Sequence, residues 1–248
     1  VDGYSFDLKK FKNVYLVGGG KASGSMAEAL EEILGKHITE GLVNVPHGSI
    51  YKTNIIKLHE ASHPVPDEAG VEGTRCMLQI AGQARKNDLL ICVISGGGSS
   101  LMPLPRGEIS IADKKALTNA LLKSGATINE VNTVRKHISD FKGGWLAKRA
   151  YPATVLNLIL SDVVGDPLDF IASGPTVPDS TTFSDAEKVL KKHGLLDHAP
   201  ASIKKVLSDG EKGIIPETPK ANDDAFKKVY NVVIGNNRFA SIAACEKL

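Results

Sequence analysis

The sequence predicts an α/β fold, in which helices cover both faces of a mainly parallel sheet. Six short β-rich runs recur along the chain, and several are almost continuously apolar, as strands buried on both faces are. Helical patterns with capping residues lie between these runs, and such alternation is typical of parallel sheets. The 248 residues allow one large domain whose core needs no disulfide or metal for stability.

The predicted elements follow one another in a regular order. Asp67 is a predicted N-cap, and an apolar pattern predicts a second helix that starts near Ser110. Boxes of the Ser/Thr-x-x-Glu type predict starts at Thr127 and Ser184. Gly194 is a natural helix stop. The strands are predicted at Val14–Val17, Leu42–Val45, Ile55–His59, Leu89–Ile94, Thr154–Leu160 and Val229–Ile234.

Composition argues against several classes of function. The 30 basic and 28 acidic residues give a net charge of +2, which predicts neither nucleic-acid nor membrane-surface binding. Three cysteines without a CxxC pair predict no disulfide framework and no cysteine zinc site. The longest apolar run, Leu89–Ile94, is too short to cross a bilayer. Since no signal peptide opens the chain, we expect a cytoplasmic protein. Only glycine is unusual, with 24 residues against the usual ~7%.

The first strand is followed by a glycine loop, Gly18-Gly19-Gly20-Lys21, and then by a helix. This arrangement predicts an anion site, because backbone N–H groups and the positive helix end face the ligand, and Lys21 adds a positive charge. The spacing is not that of a Walker A loop. A dinucleotide fingerprint fits only loosely, since Ser23 takes the third glycine position and no acid ends the second strand.

A second loop, Ser95–Ser100, follows the fourth strand. Its hydroxyl groups and backbone amides predict contacts with phosphate oxygens without added charge. Leu101 breaks the pattern of a nucleophile elbow. The loop residues that we expect in a nucleotide site are Gly96, Gly97, Gly98, Ser99 and Ser100.

Asp162 follows the fifth strand, where a carboxylate is well placed as a general base or a Mg²⁺ ligand, although an N-cap or Asx-turn explains it equally well. Ser173-Gly174 is a small-residue turn that can approach a ligand.

The third predicted helix carries four polar residues at offsets that place them on one face. They are Asn132, Arg135, Ser139 and Lys142. An ordinary solvated basic face is the competing interpretation. His63, between a strand and two prolines, is interpreted as a structural turn residue.

Five segments taken together identify a family resemblance over nearly the whole chain. In order they contain GGGKAS, SHPVPDEAG, SGGGSSLM, NTVRKHISDFKGG, and SDVVGDP with ASGPTVPD. This order resembles the ATP-dependent glycerate 2-kinases, the class that carries a C-terminal MOFRL domain. The resemblance implies transfer of phosphate from ATP to the 2-hydroxyl of D-glycerate with Mg²⁺, and Lys21 as a key active-site residue.

The resemblance also implies a Rossmann-like three-layer α/β/α domain that faces a second α/β domain across a cleft. We expect residues 1–235 to form the large domain and residues 236–248 to begin the connection toward a C-terminal domain absent from this sequence. A homo-oligomer is left open.

The combined hypothesis is phosphoryl transfer, which needs placement and charge neutralisation more than covalent chemistry. In it, the Gly96–Ser100 loop with Ser173 and Gly174 holds nucleotide phosphates, and Lys21 neutralises the transferred group. Gly19, Gly20, Arg135 and Lys142 bind the substrate, and Asp162 accepts the hydroxyl proton or ligates Mg²⁺. The alternatives are a nicotinamide-dependent hydroxypyruvate reductase and a non-catalytic domain that binds a phosphorylated metabolite.

Overall fold

The computed structural model describes residues 3–247, which fold around one six-stranded sheet. Every strand pair is parallel, and the order is β3-β2-β1-β4-β5-β6. The order reverses between β1 and β4, so the loops after these two strands flank the usual ligand crevice of an open α/β sheet. The strands are β1 (Val14–Gly19), β2 (Glu40–Pro46), β3 (Ile56–Ala61), β4 (Leu89–Ser95), β5 (Thr154–Leu160) and β6 (Val229–Gly235).

Helices lie in the connections between successive strands except between β2 and β3, and one more helix follows β6, so the α/β prediction is confirmed. Residues 1, 2 and 248 of the expected domain ranges lie outside the described residues. The helices are α1 (Ser23–Leu34), α2 (Glu68–Gln83), α3 (Gly98–Leu101), α4 (Ile111–Lys123), α5 (Ile128–His137), α6 (Trp145–Ala150), α7 (Phe183–Lys192), α8 (Ala201–Glu211) and α9 (Asn237–Cys245).

Most predicted helix starts are present, and one is wrong. Asp67 and Thr127 cap α2 and α5 as expected, and α4 starts where it was predicted, with Ser110 as its N-cap. The capping box of α7, however, joins Thr182 to Asp185 instead of Ser184 to a glutamate. The helix begins earlier because its first residue, a phenylalanine, is buried in the core and brings Thr182 into the capping position.

The sheet has an apolar core on each face. On one face, β-strand residues pack against α2 and α6 in a cluster that includes Val17, Cys92 and Met77. On the other face, Leu16 and Val93 belong to a cluster that includes residues of α1. Strands buried on both faces explain the near-continuous apolar runs of the sequence.

A third apolar cluster joins α4, α5, α7 and α8 beside the sheet. In α5, Val131 and Val134 belong to this cluster. The predicted continuation of α5 through Lys142 is wrong, because the helix ends at His137. Its C-cap, Ile138, leaves the helical conformation, and its carbonyl accepts a bond from the N–H of Arg106. Of the four polar residues expected on one helix face, Asn132 and Arg135 therefore lie on α5, whereas Ser139 and Lys142 lie in the loop that follows it.

Candidate active site

The two glycine loops predicted to bind anions lock together at the carboxyl edge of the sheet. We name residues 18–21 the first glycine loop and residues 95–100 the second. The N–H of Lys21 donates to the carbonyl of Gly96 at 2.8 Å, and the N–H of Ala22 donates to Ser95 Oγ at 2.9 Å. A Cβ atom at Gly20 would overlap Ser95 Oγ. Close packing between the loops therefore explains why this position is glycine.

Lys21 and Asp162 meet where these loops reach the end of β5. Lys21 Nζ lies 3.5 Å from Asp162 Oδ2, and each side chain is 55% exposed, so the pair remains open to a ligand. A Cβ atom at Gly96 would overlap the Asp162 carboxylate. The absence of a side chain at Gly96 is therefore what admits this carboxylate beside the second glycine loop.

His63 belongs to this group, although its sequence context indicated only a turn. A Cβ atom at Gly97 would lie 2.8 Å from His63 Cδ2 and Nε2, and 3.3 Å from Lys21 Cγ. Gly97 has a φ of 85°, and it caps α3. The exposed imidazole thus lies against the second glycine loop on the side where Lys21 approaches it.

One helical turn of α5 contributes two side chains to a cavity beside Asp162, which we name the central cavity. Asn132 Oδ1 accepts a bond from Ser173 Oγ at 3.0 Å, while its buried Nδ2 has no protein partner. Arg135 lies one turn further along the same face. The residues that line this cavity include Gly96–Ser99, Asn132, Arg135, Asp162 and Phe170–Ala172. A buried donor without a partner is expected to find one in a ligand or in ordered water.

Ser173 and Gly174, which were expected to bind nucleotide phosphates, lie in a buried turn. Both residues are buried, and Ala172, Ser173 and Gly174 have φ values of 50°, 60° and 60°. Two non-glycine residues in this left-handed region are uncommon, and surrounding contacts must hold them. The N–H of Gly143 donates to the carbonyl of Ser173 at 2.9 Å. The described contacts of this turn therefore support Asn132 and the cavity wall.

Lys142 lies close to the second glycine loop but is fully buried. Its ammonium group donates to the carbonyl of Ser99 at 3.1 Å and to that of Ala172 at 3.2 Å. Burial, together with the positive charges of Lys114 and Arg135, holds the pKa of Lys142 well below its usual range. Lys142 therefore links α3 to the left-handed turn, and its protonated form has one further N–H donor for a ligand.

Lys114 is a cation that the sequence interpretation missed. It is 5% exposed, and its ammonium group donates to the carbonyls of Pro103 and Leu104 at 2.8 and 3.3 Å. The available signal was its place in α4, where it shares the buried face with Ile111 and Leu117. A lysine within an apolar helix stripe is unusual unless its charge has a specific use.

The described residues contain neither a cluster of metal-ligating side chains nor a helix that could span a membrane. Within residues 3–247, no group of three or more His, Cys, Asp or Glu side chains is arranged to hold a metal ion. Asp162 is a single half-exposed carboxylate, and Mg²⁺ that accompanies nucleotide phosphates needs only one or two protein carboxylates. None of the helices in this range is long and apolar enough to cross a membrane.

Comparisons with known proteins identify the family of this chain. The protein-family profile described as "Domain of unknown function (DUF4147)" matches residues 2–208. The "Glycerate 2-kinase" of Pyrococcus horikoshii is 44% identical over 96% of this chain and 52% of its own length. The "D-glycerate 2-kinase" of Thermotoga maritima is 48% identical over 84% of this chain and 48% of its own length. This chain thus spans about half the length of the curated relatives it matches.

A crystal structure of glycerate kinase from Thermotoga maritima superposes with a TM-score of 0.85 and 44% identity, over 96% of this chain and 56% of that one. A "Putative hydroxypyruvate reductase" of Agrobacterium vitis is 44% identical over 85% of this chain and 46% of its own length. Because the family profile covers most of the sequence and the kinase relatives align along most or nearly all of it, the chain belongs to the glycerate 2-kinase family, through its DUF4147 domain.

Proposed function

We propose that the protein carrying this chain is an ATP-dependent glycerate 2-kinase, which transfers the γ-phosphate of ATP to the 2-hydroxyl of D-glycerate and yields 2-phosphoglycerate and ADP. The observation that carries the proposal is the Lys21–Asp162 pair, 3.5 Å apart and open to solvent, at the crevice where both glycine loops meet. A cation and a carboxylate at one point supply the charge neutralisation and the proton acceptor that phosphoryl transfer requires.

In the proposed mechanism, the ammonium group of Lys21 stabilises negative charge on the transferred phosphoryl group. The carboxylate of Asp162 accepts the proton of the attacking hydroxyl group, or it holds the Mg²⁺ that accompanies ATP. When bound, Mg²⁺ neutralises phosphate charge, and Asp162 is the carboxylate at this edge that fits it. These two roles of Asp162 are alternatives, because one carboxylate cannot both take the proton freely and remain a metal ligand.

The nucleotide phosphates are proposed to lie against the second glycine loop, with Asn132 Nδ2 and Arg135 as donors from α5. The unsatisfied amide of Asn132 supports this placement, because a phosphate oxygen would accept from it. Gly19 and Gly20 are buried, so we propose that they form the base of the site and do not contact the substrate directly. Residues 1–235 are proposed as one domain, since β6 completes the sheet at Gly235. The cytoplasmic location also remains a proposal.

Hydroxypyruvate reduction is the competing activity, and the second strand argues against it. A nicotinamide dinucleotide normally needs an acid near the end of that strand to bind the ribose hydroxyl groups. Here β2 ends at Pro46, and His47 follows.

The experiment is a coupled assay of ADP release with ATP and D-glycerate, with NADH oxidation by hydroxypyruvate as the parallel measurement. ADP release that depends on D-glycerate supports the kinase. NADH oxidation without ADP release would replace it with the reductase. Nucleotide binding with neither activity would favour a non-catalytic binding domain.

A further inference from the structure

Three cationic side chains from separate segments line one pocket beside the second glycine loop. Lys114 comes from α4, Arg135 from α5, and Lys142 from the loop that follows α5. The pocket, which we name the cation pocket, has a volume of about 140 Å³. Its walls also include Pro64–Pro66 and the two serines of α3, Ser99 and Ser100.

Both buried lysines are held in place by neutral partners. Lys114 donates to the carbonyls of Pro103 and Leu104, and Lys142 donates to those of Ser99 and Ala172. A protonated lysine has three N–H donors, so in its charged form each lysine keeps one donor that these carbonyls do not use. Both lysines line the cation pocket. A ligand in this pocket can therefore accept a bond from the remaining donor of each lysine.

The third cation, Arg135, makes no hydrogen bond or ion pair with any residue in the described range 3–247. Three charged groups of the described chain surround Lys114 and Lys142. They are Arg135 and Lys115, which both line the pocket, and Asp140. The Asp140 side chain is 45% exposed and lies 3.7 Å from Arg106 Nε. Neither buried lysine forms an ion pair with a carboxylate of the described residues, although buried charges in proteins are normally paired.

We propose that the cation pocket binds the anionic group of a small molecule, a carboxylate or a phosphoryl group, which contacts Lys114, Arg135 and Lys142 together. This inference rests on the proposed function for the identity of the molecule, because Arg135 also lines the central cavity with Asp162. An acceptor whose carboxylate occupied the cation pocket would thereby be held next to the reaction centre. Lys114 is the member of this set that no sequence motif indicated.

The electrostatics of the empty pocket support an anionic occupant. Burial, and then the positive charge of Arg135, lower the pKa of Lys114 to about 7, while Asp140 opposes the shift. A bound anion favours the charged lysine and raises that pKa. Binding above pH 7 therefore takes up protons, and affinity falls as pH rises, whereas below pH 7 Lys114 is already charged in the empty pocket.

The test is isothermal titration calorimetry of the protein with inorganic phosphate and, separately, with D-glycerate, without nucleotide, at pH 8. Running each titration in two buffers of different ionisation enthalpy gives the number of protons taken up. The variant Lys114→Met keeps the length of the side chain and removes its charge. Lys123→Met, an exposed lysine on the same helix, is the matched control.

The expected result is binding of at least one of the two anions with proton uptake. Lys114→Met should weaken that binding about tenfold or more, as loss of a charge-assisted bond does, while Lys123→Met leaves it unchanged. An effect on D-glycerate alone assigns the pocket to the carboxylate, and an effect on phosphate assigns it to a phosphoryl group. Failure of both anions to bind, or equal affinity in Lys114→Met, would overturn the inference.

The outcome is separable from the proposed function. Phosphate binding through Lys114 without ADP release would support the cation pocket and contradict the kinase proposal. Kinase activity would support the proposed function. If Lys114→Met then changed neither the phosphate affinity nor the KM for D-glycerate, the cation pocket would be contradicted.

Discussion

Lys21 Nζ lies 3.5 Å from Asp162 Oδ2, although the two residues follow different strands of the sheet. Gly96 leaves room for the Asp162 carboxylate beside the second glycine loop, because a Cβ atom there would overlap it. Sequence order alone does not reveal this pairing. It depends on the strand order, which places β4 between β1 and β5.

Gly96→Ala is expected to lower kcat/KM by about 10²-fold, as displacement of a reacting group by about 1 Å does. The added methyl group would push Asp162 away from Lys21. The apparent Tm should change little, because Asp162 is half exposed and can move into solvent. The coupled ADP assay and thermal unfolding measure the two effects, and unchanged turnover would show that the position of Asp162 is not critical.

Asn132→Asp is expected to raise the KM for ATP at least tenfold. The substitution has nearly the same shape and keeps an oxygen that accepts from Ser173 Oγ, but it replaces the free Nδ2 donor with negative charge. An anionic ligand in the central cavity would be repelled. Steady-state kinetics at varied ATP measure the effect, and a KM equal to that of the wild type would place the phosphates elsewhere.

Asp179→Asn is expected to destabilise the fold by about 3 kcal/mol or more, as loss of one partner of a buried ion pair does. Lys136 Nζ lies 2.8 Å from Asp179 Oδ1, with side-chain exposures of 5% and 0%. Urea unfolding measures the change. The exposed ion pair of Lys227 is the control, and Lys227→Ala should leave the free energy of unfolding almost unchanged. Equal effects of the two substitutions would contradict the role of burial.

Glu217 should contribute to stability in a limited acid range. Burial tends to raise its pKa, but bonds from His137 and from the N–H groups of Phe183 and Thr218 outweigh burial and lower the pKa to about 2. The folded-state pKa is thus below the unfolded value of about 4.3. Its stabilisation is complete above that value and is lost as pH falls toward 2. The free energy of unfolding, measured with urea at pH 5 and pH 3, should change less with pH in Glu217→Gln than in the wild type. An equal change in the two proteins would contradict this prediction.

The fold was largely predictable, because strands buried on both faces need near-continuous apolar runs and helices need caps. The strand runs were recognised from local residues alone. The shift of one capping box to Thr182 was not, since it depends on where the neighbouring phenylalanine is buried. Local signals therefore identify elements well and their ends less well.

The site was only partly predictable. The proximity of Lys21 and Asp162 was predictable because both follow strands, and the carboxyl ends of parallel strands share one edge. Helix periodicity predicted that Arg135 shares a face with Asn132, but the burial of Lys142 depends on α5 ending at His137. Lys114 and the approach of His63 to Gly97 require tertiary packing, which short-range patterns do not contain.

The most direct test of the account is turnover in Lys21→Met beside Lys86→Met, assayed by D-glycerate-dependent ADP release. Lys86 is an exposed lysine just before β4, at the opposite edge of the sheet. We predict that Lys21→Met lowers kcat by about 10²-fold or more with unchanged thermal stability, while Lys86→Met behaves like the wild type. Full activity in Lys21→Met would contradict the proposal that this ammonium group stabilises the transferred phosphoryl group.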